Sequence, residues 1–387
     1  MTDPHQHNSE IPPALQILRD RIDQIDHQFM ELLAERHQIV GEVASVKRAT
    51  GVPIRDDGRE AALLADRRMV ATESGLNPEV TESLFRLVLW ASRNRQAQLH
   101  AAVPESLTPR TIAVIGAHGG MGTMMSEFLQ HMGNEMLLVD RDTSLSIEEA
   151  TKASDVVLVS VDIRETEEVI RRAGPNLRED GLFTDVTSIK RAPVAAMLAA
   201  STASVIGTHP LFGPGGHTMQ GQRVAITPAR LIEGTTWDTW LKSTFSAAGL
   251  TLLETTPEDH DRIMAVVQVL THYSTEVLGR TMEQLNVSVE ETLRFSSPIY
   301  HLELLMTARH FAQSPNLYSA IQMSNPNTAE IATAFRKAAD EFESLIQEGD
   351  AAAFRDAFGE VSTFFGPFAE KALAESTHLI DRLVERS

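Results

Sequence analysis

Three patterns of apolar and polar positions follow one another along the chain. The first is helical. Over residues 14–49 apolar side chains recur at Leu18, Ile22, Ile25, Phe29, Leu32, Ile39, Val43 and Val46. The steps alternate between four and three, a heptad-like seam that predicts one long helix. A helix of about 35 residues is about 50 Å long. That is too long for the first hundred residues to bury alone, so an intertwined dimer is expected. Thr50-Gly51-Val52-Pro53 ends the helix. Asp56 to Glu60 opens a second helix near 57–74, and Asn77-Pro78 breaks it. A third helix runs from about Glu79 to Leu99.

The second pattern alternates short β-branched runs with helical stretches. The strand candidates are Thr111–Ile115, Glu135–Val139, Asp155–Val161, Leu182–Val186, Ser204–Gly207, Val224–Thr227 and Leu250–Glu254. Helical patterns run over Met121–Met132 and Arg164–Ala173. This order predicts a doubly wound α/β sheet of Rossmann type, ending near residue 257. The stretch 144–154 looks too short and polar for a full crossover, so the sheet there is expected to be abbreviated. The third pattern, over 259–387, is almost wholly helical, and FRKAADEFESLIQEGDAAAFRDAF reads as an amphipathic pair whose charges are solvated faces. The predicted division is a disordered N-terminus at 1–13, a helical unit at 14–103 and a short polar link at 104–110. A nucleotide-type unit at 111–257 follows, then a helical unit at 258–387 large and apolar enough to dimerise.

The glycines of TIAVIGAHGGMG sharpen the middle unit. Gly116, Gly119 and Gly122 stand between the first strand and its helix, with Gly120 and Met121 among them. The second strand ends at Asp140, 24 residues after Gly116. Strand, glycine turn, helix, strand and acid is the dinucleotide-binding order. Glycines let the backbone approach a pyrophosphate, and the helix start offers unpaired N–H groups. Asp140 would accept hydrogen bonds from the adenosine ribose. Its carboxylate repels a 2′-phosphate and so favours NAD over NADP, although Arg141 next door counts the other way. The spacing is G-x-x-G-x-x-G rather than G-x-G-x-x-G. A turn that needs glycine only for packing would leave the same trace.

Composition removes other classes. The chain has 387 residues, 42% hydrophobic, and a net charge of −19, which argues against a nucleic-acid binder. It has no cysteine, so disulfides, thiolate chemistry and Cys-ligated zinc are excluded, which fits a reducing cytoplasm. The start, MTDPHQHNSEIPP, lacks the basic-then-apolar order of a signal peptide. No apolar run reaches the roughly 18 residues needed to span a bilayer.

Polar residues that break the apolar patterns are the candidates for chemistry. The seam position after Leu32 holds Arg36, and a charge there is costly to bury without an anionic partner. Lys47, eleven residues on, lies on nearly the same helix face. Arg19 lies on another face and would serve another crevice. Ser92 and Gln96 sit one turn apart on the third helix. Singly, each fits a solvated surface; together they favour an anion pocket. LRDRID, LLAERHQIVGEVASVK, PIRDDGRE and the Ser92/Gln96 spacing resemble the all-helical chorismate mutase domain. The resemblance implies that Arg19, Arg36, Lys47, Asp56, Arg59, Glu60, Ser92 and Gln96 line the pocket. Arg19 would come from the partner in a domain-swapped dimer. Arg19 and Arg36 would clamp carboxylates, Lys47 and Gln96 would donate to the ether oxygen, and Glu60 would hold a hydroxyl. The rearrangement is pericyclic, so catalysis rests on conformer selection and charge stabilisation. No metal is expected.

In the second half, TDVTSIK and GTHPLFGP follow strands, and such residues face the ligand crevice. His209 is placed there, in a tight loop, as an acid/base group or as a structural cap. Arg309 sits on a helix in an apolar setting, as a core ion pair or a carboxylate clamp. VIGTHPLFGP, DVTSIK and SSPIY…ARHFAQ-P-LY resemble prephenate dehydrogenase. From about residue 14 the whole chain is similar to the bifunctional chorismate mutase/prephenate dehydrogenase family of bacterial tyrosine synthesis. The resemblance implies that His209 bonds the 4-hydroxyl of prephenate and that Ser188 orients it beside the nicotinamide. Arg309 would hold a carboxylate, and His272 is a second substrate contact. It also implies a homodimer, NAD as cofactor and inhibition by tyrosine, with Tyr318 and His260 as candidate contributors. The family pattern has an acid where this chain has Gly215. Three alternatives stand beside this reading: a front half that only regulates or dimerises, a non-catalytic nucleotide sensor, and a dehydrogenase acting on arogenate.

Overall fold

A computed structural model describes residues 12–50, 52, 54–99, 107–215 and 219–384. The N-terminus at 1–11, Gly51, Pro53 and the 104–106 part of the link lie outside the described residues. Three helices come first: α1 Pro13–Thr50, α2 Asp57–Glu73 and α3 Pro78–Gln98. Local chemistry sets their starts. Asp56 caps α2 by accepting from the Arg59 N–H at 2.9 Å. Asn77 caps α3 and Pro78 opens it. Helix α1 is continuous over 38 residues. All eight seam residues are exposed on it, whereas Val40 and Ala44 are buried. Thus the single chain covers only the C-terminal half of α1, against α3 and Ile54.

The middle unit is a seven-stranded sheet in the order β2-β1-β3-β4-β5-β6-β7. The strands are β1 Thr111–Ile115, β2 Glu135–Val139, β3 Val156–Val159, β4 Leu182–Asp185, β5 Ser204–Pro210, β6 Arg223–Arg230 and β7 Thr251–Glu254. All pairs are parallel except β5 with β6. Alternation splits β1 between two cores: Ile112 and Val114 pack on one face, Ala113 and Ile115 on the other. Both faces are covered at the central strands β1, β3 and β4, which is why these are buried nearly throughout. Truncating Ile112, which is fully buried, to alanine would cost about 2–5 kcal/mol.

Five helices connect or flank these strands: α4 Gly120–His131, α5 Ile147–Ala153, α6 Ile163–Ala173, α7 Arg191–Ala200 and α8 Trp237–Ala247. The expected abbreviation at 144–154 does not occur. A seven-residue helix suffices there, because a Ser146/Glu149 capping box starts it and Ile147 and Ala150 bury against the sheet.

The remaining elements are helical. Helix α9, Pro257–Met264, runs through a π-helical stretch, Ala265–Leu270, into α10, Thr271–Leu285. Then come α11 Val289–Arg294, α12 Pro298–Phe311, α13 Pro315–Ser324, α14 Thr328–Glu348, α15 Ala351–Phe365 and α16 Phe368–Val384. Phe295, Met323 and Phe364 are each 84% exposed, so this unit presents large apolar side chains outward. Among the described residues no helix is long and apolar enough to cross a membrane.

Candidate active sites

The larger site is a cleft of about 750 Å³ at the carboxyl ends of β1, β3, β4 and β5, closed on its far side by α10 and α13. Gly116 has φ of 88°, and a Cβ there would lie 2.3 Å from the Ser160 carbonyl. At Gly122 a Cβ would lie 2.0 Å from the Gly116 carbonyl. Packing alone therefore demands both glycines. The same turn leaves the start of α4 open, because its N-cap Gly119 makes no side-chain cap. Gly119, Gly120 and Met121 line the cleft, so first-turn N–H groups face it.

Asp140 follows β2 and accepts from the His118 N–H at 2.9 Å and the Arg141 N–H at 2.8 Å. Burial pushes its pKa up, but these bonds outweigh it and hold the carboxyl below its ordinary range. Arg141, which the sequence left as a competing signal for a 2′-phosphate, is gripped by Glu165 at 2.6 and 2.7 Å. The glycine turn, the open helix start and the carboxylate fit a dinucleotide with a free 2′-hydroxyl.

His209 lies deeper, 3% exposed. It is not in a loop after the strand, as expected, but within β5, opposite Ala225 of β6. The antiparallel ladder with β6 extends β5 to Pro210, whose missing N–H falls at the strand end. His209 Nδ1 is 2.9 Å from His260 Nε2, and its Nε2 is 3.4 Å from the Gln268 amide. Gln268 belongs to the π-helical stretch, a distortion that is frequent at functional sites. Below the histidine, the fully buried Lys190 donates to Asp185 at 2.5 Å and to the Thr208 carbonyl at 2.6 Å. Burial, then His260 and Lys190, push the His209 pKa well below the ordinary imidazole value. These effects favour the neutral ring.

Ser188 and His272 are half-buried and line the same cleft. Burial, then His310, lowers the His272 pKa. Arg309 is not in the apolar setting expected of it. Leu304, Thr307 and His310 form the buried face of α12, and Arg309 falls outside that face, exposed. Tyr318 lines the cleft and stacks on His310 with ring centroids 3.9 Å apart; burial raises its pKa, which the charge of Arg309 opposes. The departure at Gly215 is harmless to packing, since a Cβ there would meet nothing within 4 Å.

The second site lies between α1 and α3. Arg36 donates to the buried Ser92 hydroxyl, which donates on to the Val88 carbonyl at 2.6 Å. Lys47 donates to the Ile54 carbonyl at 2.6 Å. Burial lowers the pKa of both cations; for Lys47, Asp56 and Glu60 oppose it. The Gln96 amide oxygen is buried and makes no hydrogen bond. Glu60 is held by Arg93 at 2.6 and 2.7 Å, a partner the sequence did not single out. The signal was there, as Arg93 stands between Ser92 and Gln96 opposite an acid. Asp56 serves as a helix cap, and Arg59 is exposed. Arg19 is exposed and, by helical rise, about 25 Å along α1 from Arg36. The single chain thus assembles Arg36, Lys47, Ser92, Gln96 and Glu60, without Arg19.

Two kinds of comparison bear on these sites. Family models match residues 18–97 as chorismate mutase type II, 106–249 as the prephenate dehydrogenase nucleotide-binding domain, and 256–360 as the prephenate dehydrogenase dimerization domain. The T-protein of Enterobacter agglomerans is 34% identical over 369 residues, which cover 95% of this chain and 97% of that protein. The chain belongs to the bifunctional chorismate mutase/prephenate dehydrogenase family. The T-protein of Haemophilus influenzae is 33% identical with the same coverage. A crystal structure of prephenate dehydrogenase from A. aeolicus, in complex with hydroxyphenyl propionate and NAD+, shares the fold. It is 21% identical, with a TM-score of 0.54, over 67% of this chain and 98% of that one. This bifunctional enzyme of tyrosine biosynthesis therefore has its mutase in α1–α3 and its dehydrogenase in the remainder.

Proposed function

We propose that the chain rearranges chorismate to prephenate between α1 and α3, then oxidatively decarboxylates prephenate to 4-hydroxyphenylpyruvate in the large cleft, with NAD. The observation that carries the second step is His209, buried on the cleft wall where burial pushes its pKa down. The bound dinucleotide supplies the hydride acceptor. Gly119, Gly120 and the first turn of α4 would hold its pyrophosphate, and Asp140 its ribose. His209 Nε2 accepts the 4-hydroxyl proton as hydride leaves the same carbon, and a ketone forms. Loss of the ring carboxylate as CO₂ returns an electron pair to the ring. The ring becomes aromatic, and the oxygen regains its proton from His209. Ser188 orients the hydroxyl, His272 contacts the substrate, and Arg309, exposed on α12, would reach a carboxylate.

In the mutase site Arg36 and Lys47 are aimed at a dianion, and the Gln96 Nε2, which donates to the Ser92 carbonyl at 3.3 Å, has a second N–H to offer the ether oxygen. The exposed α1 seam supports a homodimer in which Arg19 enters the partner's pocket and Arg59 and Asp56 close the rim. Tyrosine differs from the product by an amine in place of a ketone, which supports end-product inhibition. The absence of cysteine supports a cytoplasmic setting.

Initial rates on prephenate and on arogenate, each with NAD and NADP, test this reading. Prephenate with NAD is expected to be fastest, with added tyrosine lowering the rate. A faster rate on arogenate would reject the substrate, and preference for NADP would reject the role of Asp140.

A further inference from the structure

Beside His209 runs a chain of hydrogen bonds that reaches out of the sheet to a helix start. Asp261 accepts from two backbone N–H groups at the beginning of α7, those of Lys190 at 2.7 Å and Arg191 at 3.0 Å. A backbone N–H can only donate, so both carboxylate oxygens are acceptors. The Oδ1 atom is also 2.8 Å from His260 Nδ1. That nitrogen must therefore carry the hydrogen. His260 is then left with a lone pair on Nε2, 2.9 Å from His209 Nδ1. This bond in turn requires hydrogen on His209 Nδ1. His209 Nε2 is left bare, with only the Gln268 amide near it at 3.4 Å. All three members are buried: His209 3%, His260 2% and Asp261 2% exposed.

Each end of the chain is anchored. Asn325 donates to the Asp261 carbonyl at 2.9 Å, which ties α9 to the end of α13. Lys190 pins the Thr208 carbonyl, one residue before His209. The chain of roles thus starts from two backbone N–H groups that can only donate.

We infer that His260 and Asp261 are positioning residues that hold His209 in the tautomer with a bare Nε2 toward the substrate. This inference rests on the dehydrogenase reading of the cleft. It extends that reading by explaining how the base is kept ready. The other tautomer would place a hydrogen on Nε2 and block proton acceptance. When His209 takes the substrate proton, its Nδ1–H still donates to His260, and the Asp261 carboxylate offsets the new charge through that ring.

The test begins with the unaltered protein. Its prephenate-dependent reduction of NAD is measured first; without it, the dehydrogenase reading itself fails. Spectra of ¹⁵N-histidine protein then report each ring nitrogen directly. His209 Nε2 is expected to be unprotonated at neutral pH, and a protonated Nε2 overturns the inference with no variant needed. His260→Leu removes the acceptor. It is expected to lower kcat by about 10²-fold or more, with the KM for prephenate and NAD affinity within about twofold. His260→Gln places an amide oxygen where Nε2 stood and is expected to recover at least about tenfold of that loss. Equal loss in the two variants, or an unchanged kcat in His260→Leu, overturns the inference. Chorismate mutase activity in the same samples reports that the chain is intact.

Discussion

The two sites of this enzyme differ in what burial does to their charges. Between α1 and α3 the protein keeps cations. Arg36 and Lys47 are half-buried, and each donates to an oxygen of the protein, the Ser92 hydroxyl or the Ile54 carbonyl. In the large cleft it keeps a base neutral, since His209 is buried beside Lys190 and cannot hold a proton easily. The contrast follows the chemistry. A pericyclic rearrangement moves no proton and is served by fixed charge in the right place. Oxidation of a hydroxyl requires a group that takes a proton in the same step as the hydride leaves. Helices with long charged side chains suit the first task, and the rigid middle of a sheet suits the second.

The comparison is broken most severely at the two central residues. His209→Asn is expected to lower prephenate oxidation by roughly 10²–10⁴-fold and leave the mutase unchanged, as read by separate assays. An unaltered oxidation rate would remove His209 from the mechanism. Lys47→Ala is expected to lower the mutase by roughly 10²–10³-fold and leave oxidation of added prephenate intact. Loss of both activities would mean that the sites are not independent.

Arg309→Ala is a smaller perturbation. It is expected to raise the KM for prephenate about tenfold, the worth of one charge-assisted bond, with little change in kcat. A normal KM would reject its role as carboxylate partner, and its exposed place on α12 makes this a demanding test.

The smallest effect is the one that separates the sites by sign. His209 must be neutral and its pKa is lowered, so oxidation should persist below the ordinary imidazole range. It should fall only as pH drops through the depressed value. Lys47 must be charged and its pKa is also lowered, so the mutase should fall as pH rises through a value below that of free lysine. Rate profiles of the two activities should thus have limbs on opposite sides. Two acidic limbs would contradict the account of Lys47.

Much of this was legible in the chain. The run Thr111–Ile115 is a strand with those limits, because a parallel strand covered on both faces is apolar throughout, and Glu135–Val139 is the partly exposed edge strand beside it. Helix α1 was legible from its seam, which stayed visible because it is not consumed by the single chain's own core. What local pattern could not reveal was tertiary. His209 reads as a loop residue beside Pro210, and only the ladder with β6 makes it a strand residue. Arg309 lies among apolar letters, yet the helix phase turns His310 inward instead. The Glu60–Arg93 pair and the His260–His209 contact span 33 and 51 residues, beyond any periodic signal. The short α5 was misjudged because its capping box, rather than its length, stabilises it.

The most direct test is a single assay on the purified chain. Chorismate and NAD are supplied with no other enzyme, and reduced nicotinamide is followed by absorbance. The account predicts steady appearance of reduced cofactor, because prephenate made between α1 and α3 is consumed in the large cleft of the same protein. Reduction that appears only when prephenate is added would contradict the claim of two working sites.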